Sequence, residues 1–259
     1  MTSIIKNLQA KTRALNKLNA LVKNFLLELF FPSFCLGCKR EVTYLCQDCK
    51  SILEISEYNY CLCNKNPFRL PPENKSGKCK RCRDKKLYGL YFALLYNERS
   101  LTRKLIHQFK YRPYVKDLAK VLAGILIEHF IIAKNNTAVI WQNSVLIPVP
   151  LEKNKLKSRG YNQAEELAKE LSKILQIPLM TDVLIKIKGT LSQISLSAEK
   201  RQKNIKGAFL VKNSEKIKKK KIFLVDDVYT TGATMEECSR VLREAEAKSV
   251  WGIAVAREG

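Results

Sequence analysis

The 259-residue sequence contains no long apolar run. A membrane-spanning helix needs about eighteen or more apolar residues in succession. The nearest candidate is residues 15–31, where Lys17, Lys23, Asn24 and Glu28 interrupt the apolar residues and no small-residue cleavage site follows. The sequence therefore predicts neither a transmembrane segment nor a secretory signal, and we expect a cytoplasmic protein.

Histidine and acidic residues are also scarce. The two histidines, His107 and His129, lie in predicted helices where a structural role is expected, so no convincing general base stands out. Aspartate and glutamate number 24 against 47 lysines and arginines, which gives a formal net charge of +23. This excess suits an anionic partner such as nucleic acid or an acidic membrane surface. Because the lysines are spread over the whole chain, compositional drift is the alternative explanation.

Residues 1–33 carry an amphipathic pattern. Apolar side chains recur there at three- and four-residue spacing, which is typical of one apolar helix face. They are Leu15, Leu18, Val22, Phe25, Leu26 and Leu29. We predict an N-terminal amphipathic helix that packs on the following domain, with association to a membrane surface as the alternative.

Eight of the nine cysteines lie between residues 35 and 82 and form four pairs. The pairs are Cys35/Cys38, Cys46/Cys49, Cys61/Cys63 and Cys79/Cys82. Two thiolates in a tight knuckle can chelate a tetrahedral metal ion, and two knuckles supply four ligands. Because no secretory signal is predicted, structural zinc is favoured over a disulfide framework.

The intervals between these pairs predict how they combine. Seven residues separate the first two pairs and fifteen separate the last two, so two sequential sites are the simplest arrangement. A cross-braced pairing is the alternative. The single residue between Cys61 and Cys63 departs from the usual two-residue spacing, which weakens the case for the second site. Four thiolates fill the coordination of a zinc ion, so both predicted sites are structural rather than catalytic.

Residues 222–234 combine an apolar strand, two carboxylates and a hydroxyl-rich turn. Asp226 and Asp227 come at the carboxyl end of the strand, where open α/β sheets bind their ligands. The turn consists of Thr230, Thr231, Gly232, Ala233 and Thr234. Its backbone N–H groups at a helix N-terminus and its hydroxyls predict a phosphate site, and a phosphorylated sugar would also satisfy the carboxylates. A buried strand ending in an Asp-capped turn is the alternative, and no Gly-Lys-Ser/Thr follows to make a Walker A loop.

This segment resembles the motif with which type I phosphoribosyltransferases bind 5-phosphoribosyl 1-diphosphate (PRPP). The resemblance extends over about thirteen positions, 222–234, and includes the acidic pair and the sequence TTGAT. It implies that the turn holds the 5-phosphate. It also implies that Asp226 and Asp227 hold the ribose hydroxyls, a Mg²⁺ ion or both.

From residue 87 onward, predicted strands and helices alternate, which favours a parallel sheet flanked by helices. The predicted strands are 88–96, 144–150, 182–187, 222–226 and 248–256, and the predicted helices are 99–110, 115–133, 161–175 and 233–246. The sequence therefore predicts an α/β domain at 87–259 that follows a zinc-ribbon module at 34–86.

Two polar segments are predicted to complete the site. A basic loop after residues 144–150 carries Lys153, Lys155, Lys157 and Arg159, and we expect Arg159 and its neighbour Lys157 to neutralise a leaving pyrophosphate. A merely exposed loop is the alternative. Residues 190–209 have polar residues throughout, three of them glutamine or asparagine, which predicts a mobile flap that excludes water from the site.

Together these blocks resemble the ComF family. The resemblance rests on LFFPSFCLGC, the cysteine pairs, FKY at 109–111, PVPL with SRGYNQA, TLSQ with KRQKNIKGAF, and VDDVYTTGAT, in that order. It implies a double zinc ribbon followed by a type I phosphoribosyltransferase fold with a flexible hood. It also implies a role in bacterial competence, with single-stranded DNA and DNA-uptake proteins as partners.

Two functional hypotheses remain open at this point. The first is a protein whose phosphoribosyl pocket binds PRPP and Mg²⁺ without turnover and serves DNA uptake. The second is an active phosphoribosyltransferase that displaces pyrophosphate from PRPP onto an unknown amine or nucleobase, in nucleotide metabolism or salvage. The sequence does not identify the acceptor.

Overall fold

The computed structural model describes residues 32–258, except 42, 65, 72–73, 75, 98–99, 112–114, 135–137 and 189–203. The chain divides into two compact units, Met1–Ile52 and Leu53–Gly259. The predicted N-terminal helix lies outside the described residues apart from positions 32 and 33, and most of the predicted flap lies outside them as well. Among the described residues, no helix is both long and apolar enough to cross a membrane.

The first unit is built around its cysteines. Phe34 forms an antiparallel bridge with Glu41, and helix α1 (Gln47–Ser51) begins directly after Cys46. The Cys46 side chain accepts a hydrogen bond from the backbone N–H of Cys49, which caps the first turn of this helix.

The second unit is a parallel sheet with flanking helices. Its strands are β1 (Gly89–Tyr96), β2 (Ser144–Pro148), β3 (Leu184–Lys186), β4 (Phe209–Val211), β5 (Lys221–Tyr229) and β6 (Ser249–Glu258). Its α-helices are α2 (Leu101–Lys110), α3 (Leu118–Ile132), α4 (Ala138–Trp141), α5 (Lys153–Arg159), α6 (Gln163–Leu175) and α7 (Ala233–Glu244). Short 3₁₀ helices lie at Lys80–Cys82 and Ser214–Lys216.

Four parallel strands form the main sheet in the order β1-β6-β5-β2, and β3 pairs with β4 in a separate antiparallel ribbon. The strands β1, β2 and β6 are almost continuously buried, which agrees with a parallel sheet covered on both faces. The predicted parallel α/β architecture is confirmed.

Strand β5 extends further than its neighbour β2. The last partner of β2 is Pro148, which lies opposite Val225, whereas β6 continues to pair with β5 as far as Tyr229. Beyond Val225 the sheet is therefore open on one side of β5. The acidic pair at 226–227 lies in this extension, within the strand rather than after it.

The basic segment after β2 is a helix and not the predicted loop. Residues Lys153–Arg159 form α5, which ends at Gly160 in the left-handed conformation with φ 78°. Helix α6 then begins at Gln163, and the side chain of its N-cap residue Asn162 accepts a hydrogen bond from the N–H of Ala164. The loop prediction was wrong because a short run of lysines lacks the apolar periodicity by which helices are recognised.

The second cysteine group packs with the sheet. Cys61, Leu62 and Cys82 are buried in the same hydrophobic core as Phe92 of β1 and Met235 of α7. This shared core explains why the division of the chain falls after Ile52 and not after residue 86. The division into modules at 34–86 and 87–259 remains a prediction, which concerns whether each module folds independently.

Candidate functional site

The turn that is predicted to bind phosphate, residues 230–234 (here called the phosphate turn), joins β5 to α7. Gly232 stands at the N-cap of α7 with φ 75°, a conformation that favours glycine. A Cβ atom at this position would lie 2.2 Å from the hydroxyl oxygen of Tyr229, so the turn also needs the small size of glycine. The Thr231 hydroxyl accepts a hydrogen bond from the N–H of Ala233 at 3.4 Å. The turn therefore presents backbone N–H groups and hydroxyls at the start of a twelve-residue helix.

The two carboxylates next to the turn have different surroundings. Asp227 is 5% exposed and its Oδ1 lies 2.7 Å from Nζ of Lys110. Asp226 is half-buried, and its Oδ1 accepts a hydrogen bond from the N–H of Asp227 at 2.8 Å. Burial, followed by the charge of Asp227, raises the pKa of Asp226 to about 7. The pair thus combines one ion-paired carboxylate with one that titrates near neutrality.

Like Lys186 of β3, Lys110 is a site residue that the sequence analysis missed. It is the last residue of α2, the helix that follows β1, and its charge balances Asp227 in a direct ion pair at the wall of the cavity. The two carboxylates raise the pKa of Lys110 above its ordinary value despite burial, so the lysine is charged. The only sequence signal was its place in FKY at 109–111, and no spacing rule connects that helix to residue 227.

A cavity of about 650 Å³ lies over this end of β5. Its walls include the acidic pair and the whole turn, together with basic side chains from three other elements. The basic residues are Lys110, Lys155, Arg159 and Lys186. The arrangement can accept a ligand that carries both anionic groups and hydroxyls, because donors and carboxylates face the same space.

Helix α5 contributes one face to the cavity. Lys155 and Arg159 are one helical turn apart and both line it, whereas Lys157 is exposed and is not part of the lining. The Arg159 guanidinium donates to Oε1 of Gln163 at 2.9 Å and lies 5.4 Å from the ring centre of Tyr111. The structure therefore brings Arg159 to the predicted site and places Lys155 where Lys157 was expected.

The histidines differ in position. His107 lines the cavity, whereas His129 is buried and its Nδ1 lies 2.7 Å from the backbone oxygen of Ser56. Burial lowers the pKa of His129, so this ring is neutral at pH 7. His129 therefore has the structural environment that was expected, and His107 does not.

The first four cysteines come together as one group. The Sγ atoms of Cys35, Cys38, Cys46 and Cys49 all lie within 4.8 Å of one another. The Sγ atom of Cys46 is 3.7 Å from that of Cys35 and 3.6 Å from that of Cys38. A zinc tetrathiolate with bonds of about 2.3 Å has S–S edges of about 3.8 Å, and a disulfide is far shorter. The group therefore fits structural zinc.

The second group is equally compact in spite of its unusual spacing. The Sγ atoms of Cys61, Cys63, Cys79 and Cys82 also lie within 4.8 Å of one another. The Sγ atom of Cys79 is 3.5 Å from that of Cys63 and 3.8 Å from that of Cys82. The N–H of Phe68 donates to Sγ of Cys61 at 3.1 Å, which stabilises a thiolate. The sequential grouping is what the structure shows, and this group also fits zinc.

The fold and the composition of the site define a phosphoribosyltransferase-type domain. A family model described as phosphoribosyl transferase domain matches residues 121–258, slightly more than half of the chain. Similarity to competence proteins and the two cysteine groups identify the family within this class. The chain belongs to the ComF family of phosphoribosyltransferase-domain proteins.

Three relatives illustrate this membership. Competence protein F of Haemophilus influenzae is 42% identical over 112 residues, which is 42% of this chain and 49% of that protein. The DNA utilization protein YhgH of Salmonella typhimurium is 26% identical over 80% of this chain and 93% of its own length. Competence protein ComFC of Streptococcus pneumoniae is 29% identical over 82% of this chain and 87% of its own length.

Proposed function

We propose that the chain binds PRPP together with Mg²⁺ in the cavity over the carboxyl end of β5. The observation that carries the proposal is that the turn, the acidic pair and the basic side chains all line this one cavity. PRPP carries a phosphate and a pyrophosphate on either side of a ribose with two hydroxyls. Its anionic groups match the N–H donors and basic side chains of the cavity, and its hydroxyls match the carboxylates. PRPP is a cytoplasmic metabolite, and the proposal includes a cytoplasmic location.

The phosphate turn would bind the 5-phosphate. Residues Thr230 to Thr234 offer backbone N–H groups, hydroxyls and the positive end of α7, all of which favour an anion. A negative charge introduced here repels the ligand, so Thr231→Asp is expected to abolish PRPP binding. Thr231→Ser keeps the hydroxyl and serves as the matched control.

The carboxylates would serve the ribose and the metal ion. Asp226 and Asp227 supply the hard oxygen ligands that Mg²⁺ prefers and acceptors for the ribose hydroxyls. Lys110 balances Asp227 when no ligand is bound, and its ammonium group would be close to the pyrophosphate when one is. Lys155 and Arg159 on α5 line the same cavity and would neutralise the same pyrophosphate.

Calorimetric titration of the zinc-loaded protein with PRPP and Mg²⁺ tests the proposal. The wild type should bind, and the Asp226→Ala/Asp227→Ala double variant should not. Asp182→Asn is the control, because Asp182 is an exposed carboxylate that pairs with Lys216 at 2.6 Å and does not line the cavity. A folded wild type that binds no PRPP would contradict the proposal.

We infer a part in competence-related DNA uptake from the names of the relatives. Two of them are called competence proteins and a third a DNA utilization protein, and this chain carries a net charge of +23. Single-stranded DNA is the proposed partner, with proteins of the uptake apparatus beside it. Binding to an oligonucleotide should then weaken steeply as salt rises, because lysines and arginines displace counterions. Affinity that is indifferent to salt would contradict this partner.

Turnover is the second candidate function. The observation that favours it is the raised pKa of Asp226, because a group that titrates near pH 7 can move a proton in either direction. The His107 imidazole in the same cavity is a further candidate. Incubation with PRPP, Mg²⁺ and a panel of amines and nucleobases should release pyrophosphate if the protein is a pentosyltransferase. Binding of PRPP without pyrophosphate release from any acceptor would favour the non-catalytic function.

A further inference from the structure

Arg257 is a buried cation at the end of β6. It is 1% exposed, although arginine is among the residues least often buried without a partner. One guanidinium NH₂ group donates to the backbone oxygen of Cys61 at 2.8 Å, and the other donates to that of Cys63. Its Nε–H has no hydrogen-bond acceptor within the described part of the chain, and no carboxylate there forms an ion pair with it. Its positive charge therefore needs another counter-ion.

The second cysteine group supplies the missing negative charge. The thiols of Cys61, Cys63 and Cys82 lie close enough to the guanidinium to favour its charged form, whereas burial raises the pKa of the Tyr229 phenol and keeps this group neutral. Lys85 is a second cation beside the same group, and its Nζ donates to the backbone oxygen of Leu62 at 2.8 Å. A zinc ion with four thiolates is a dianion, whose charge equals that of these two cations together. The Glu236 carboxylate also favours the charged form of Lys85, whereas the charge of Arg257 has no carboxylate partner among the described residues.

Tyr229 connects this charged cluster to the phosphate turn. It lies directly opposite Arg257 in the β5–β6 register, and its ring centre is 5.5 Å from the guanidinium carbon. Nζ of Lys85 lies 3.5 Å from the Tyr229 hydroxyl. That hydroxyl lies directly beneath Gly232, where it occupies the space of a missing Cβ atom. The two cations beside the cysteine group thus contact the ring and the hydroxyl of Tyr229, and the turn packs against that same hydroxyl.

We propose that Arg257 is a positioning residue that joins the metal of the second cysteine group to the phosphate turn. The metal tetrathiolate is the counter-ion of Arg257 and Lys85, and this cluster holds Tyr229 against Gly232 in the conformation that binds phosphate. Loss of metal from the second group therefore disorganises the turn, whereas loss from the first group does not. The effect on ligand affinity rests on the proposed binding of PRPP, but the effect on metal retention does not.

The test compares Arg257→Met and Arg257→Lys in the full-length, zinc-loaded protein. Arg40→Met is the matched control, because Arg40 is exposed beside the first cysteine group and pairs with Asp48 at 2.7 Å. A colorimetric chelator measures how fast each zinc ion leaves, and calorimetry measures affinity for PRPP and Mg²⁺. Circular dichroism fixes a temperature at which every variant is folded.

We expect Arg257→Met to lose one of its two zinc ions about tenfold to a hundredfold faster, as is usual when an outer-shell partner of a metal site is removed. Its affinity for PRPP should fall by about tenfold or more. Arg257→Lys, which keeps the charge, should restore much of both properties. Arg40→Met should leave both unchanged. Wild-type zinc release from Arg257→Met would overturn the counter-ion role.

A smaller change isolates the link to the turn. Tyr229→Phe removes only the hydroxyl, so it should keep both zinc ions and still bind PRPP several-fold more weakly. It still tests the link to the turn if Arg257→Met does not fold, and zinc release from Arg257→Lys, compared with that from the wild type, then tests the counter-ion role. Unchanged PRPP affinity in Tyr229→Phe would overturn the positioning role. A wild type that binds no PRPP would defeat the proposed function and with it the link to the turn, while the zinc-release comparison would still decide the counter-ion role.

Discussion

At the scale of single residues, Asp226 gives the site its dependence on pH. Its pKa is raised to about 7 by burial and by the neighbouring Asp227. A carboxyl group with a raised pKa keeps its proton in the folded state between about pH 4 and pH 7, where the unfolded chain has lost it. The stability that this group contributes is therefore lost as the pH rises through 7.

Ligand affinity should follow the opposite trend. Below pH 7 Asp226 takes up a proton and no longer binds a cation, so affinity for PRPP and Mg²⁺ should fall by up to about tenfold for each pH unit between 7 and 5. Calorimetry across this range measures the effect. Asp226→Asn should bind weakly at every pH and have a flat profile; a profile as steep as that of the wild type would assign the titration to another group.

Gly232 is the residue at which the turn tolerates least change. In Gly232→Ala, the positive φ and the collision with Tyr229 should together destabilise the protein by about 3 kcal/mol and remove PRPP binding. Gly160→Ala is the control, because Gly160 has φ 78° but no atom within 4 Å of a new Cβ. It should cost only about 1 kcal/mol, as judged by thermal unfolding. Equal costs in the two variants would show that the contact with Tyr229 is unimportant.

At the scale of secondary-structure elements, α5 presents its basic side chains in two directions. Lys155 lines the cavity and Lys157 is exposed. Lys155→Ala should weaken PRPP binding by about tenfold, the loss expected for one charge-assisted hydrogen bond to a phosphate oxygen. Lys157→Ala should have little effect. Calorimetric affinities for the two variants test the assignment. A larger loss of affinity in Lys157→Ala would instead assign the contact with the ligand to Lys157, as the sequence predicts.

The extension of β5 past β2 is the second element-level feature. An open α/β sheet leaves its ligand site at the carboxyl ends of its strands, and here the unequal lengths of β2 and β5 leave residues 226–229 free on one side. Helix α2 then supplies Lys110 to this opening. The acidic pair is thus part of a strand that is fixed by β6, which limits how far its carboxylates can move.

At the scale of the whole molecule, the two cysteine groups have different consequences for stability. The first belongs to the unit Met1–Ile52, whereas the second shares a hydrophobic core with the sheet. Cys79→Ser should therefore destabilise residues 53–259 by about 3 kcal/mol or more, since a structural metal contributes directly to folding. Cys46→Ser should leave that unit unchanged. Hydrogen exchange in β1, measured separately from the first unit, distinguishes the two results, and equal protection in both variants would contradict the shared core.

The sequence predicted what depends on contiguous residues. The strand, acidic pair and TTGAT turn are neighbours along the chain, and the cysteines are paired at chelating distance, so their chemistry is visible without a fold. The alternating elements likewise predicted a parallel α/β sheet, which the structure confirms. The prediction was wrong about α5 because lysine-rich helices carry no apolar stripe, and residues 190–203 of the predicted flap lie outside the described residues.

The sequence by itself thus determined the family, the local TTGAT turn and the four cysteine pairs, because each is encoded in short-range spacing. Only the tertiary structure decided which side chains from distant segments meet at them. Lys110 reaches Asp227 from a helix more than one hundred residues earlier, and Arg257 reaches the carbonyls of Cys61 and Cys63 from the far end of the chain. Such partners are fixed by the strand order β1-β6-β5-β2, and the pairing of strands depends on the packing of the whole core.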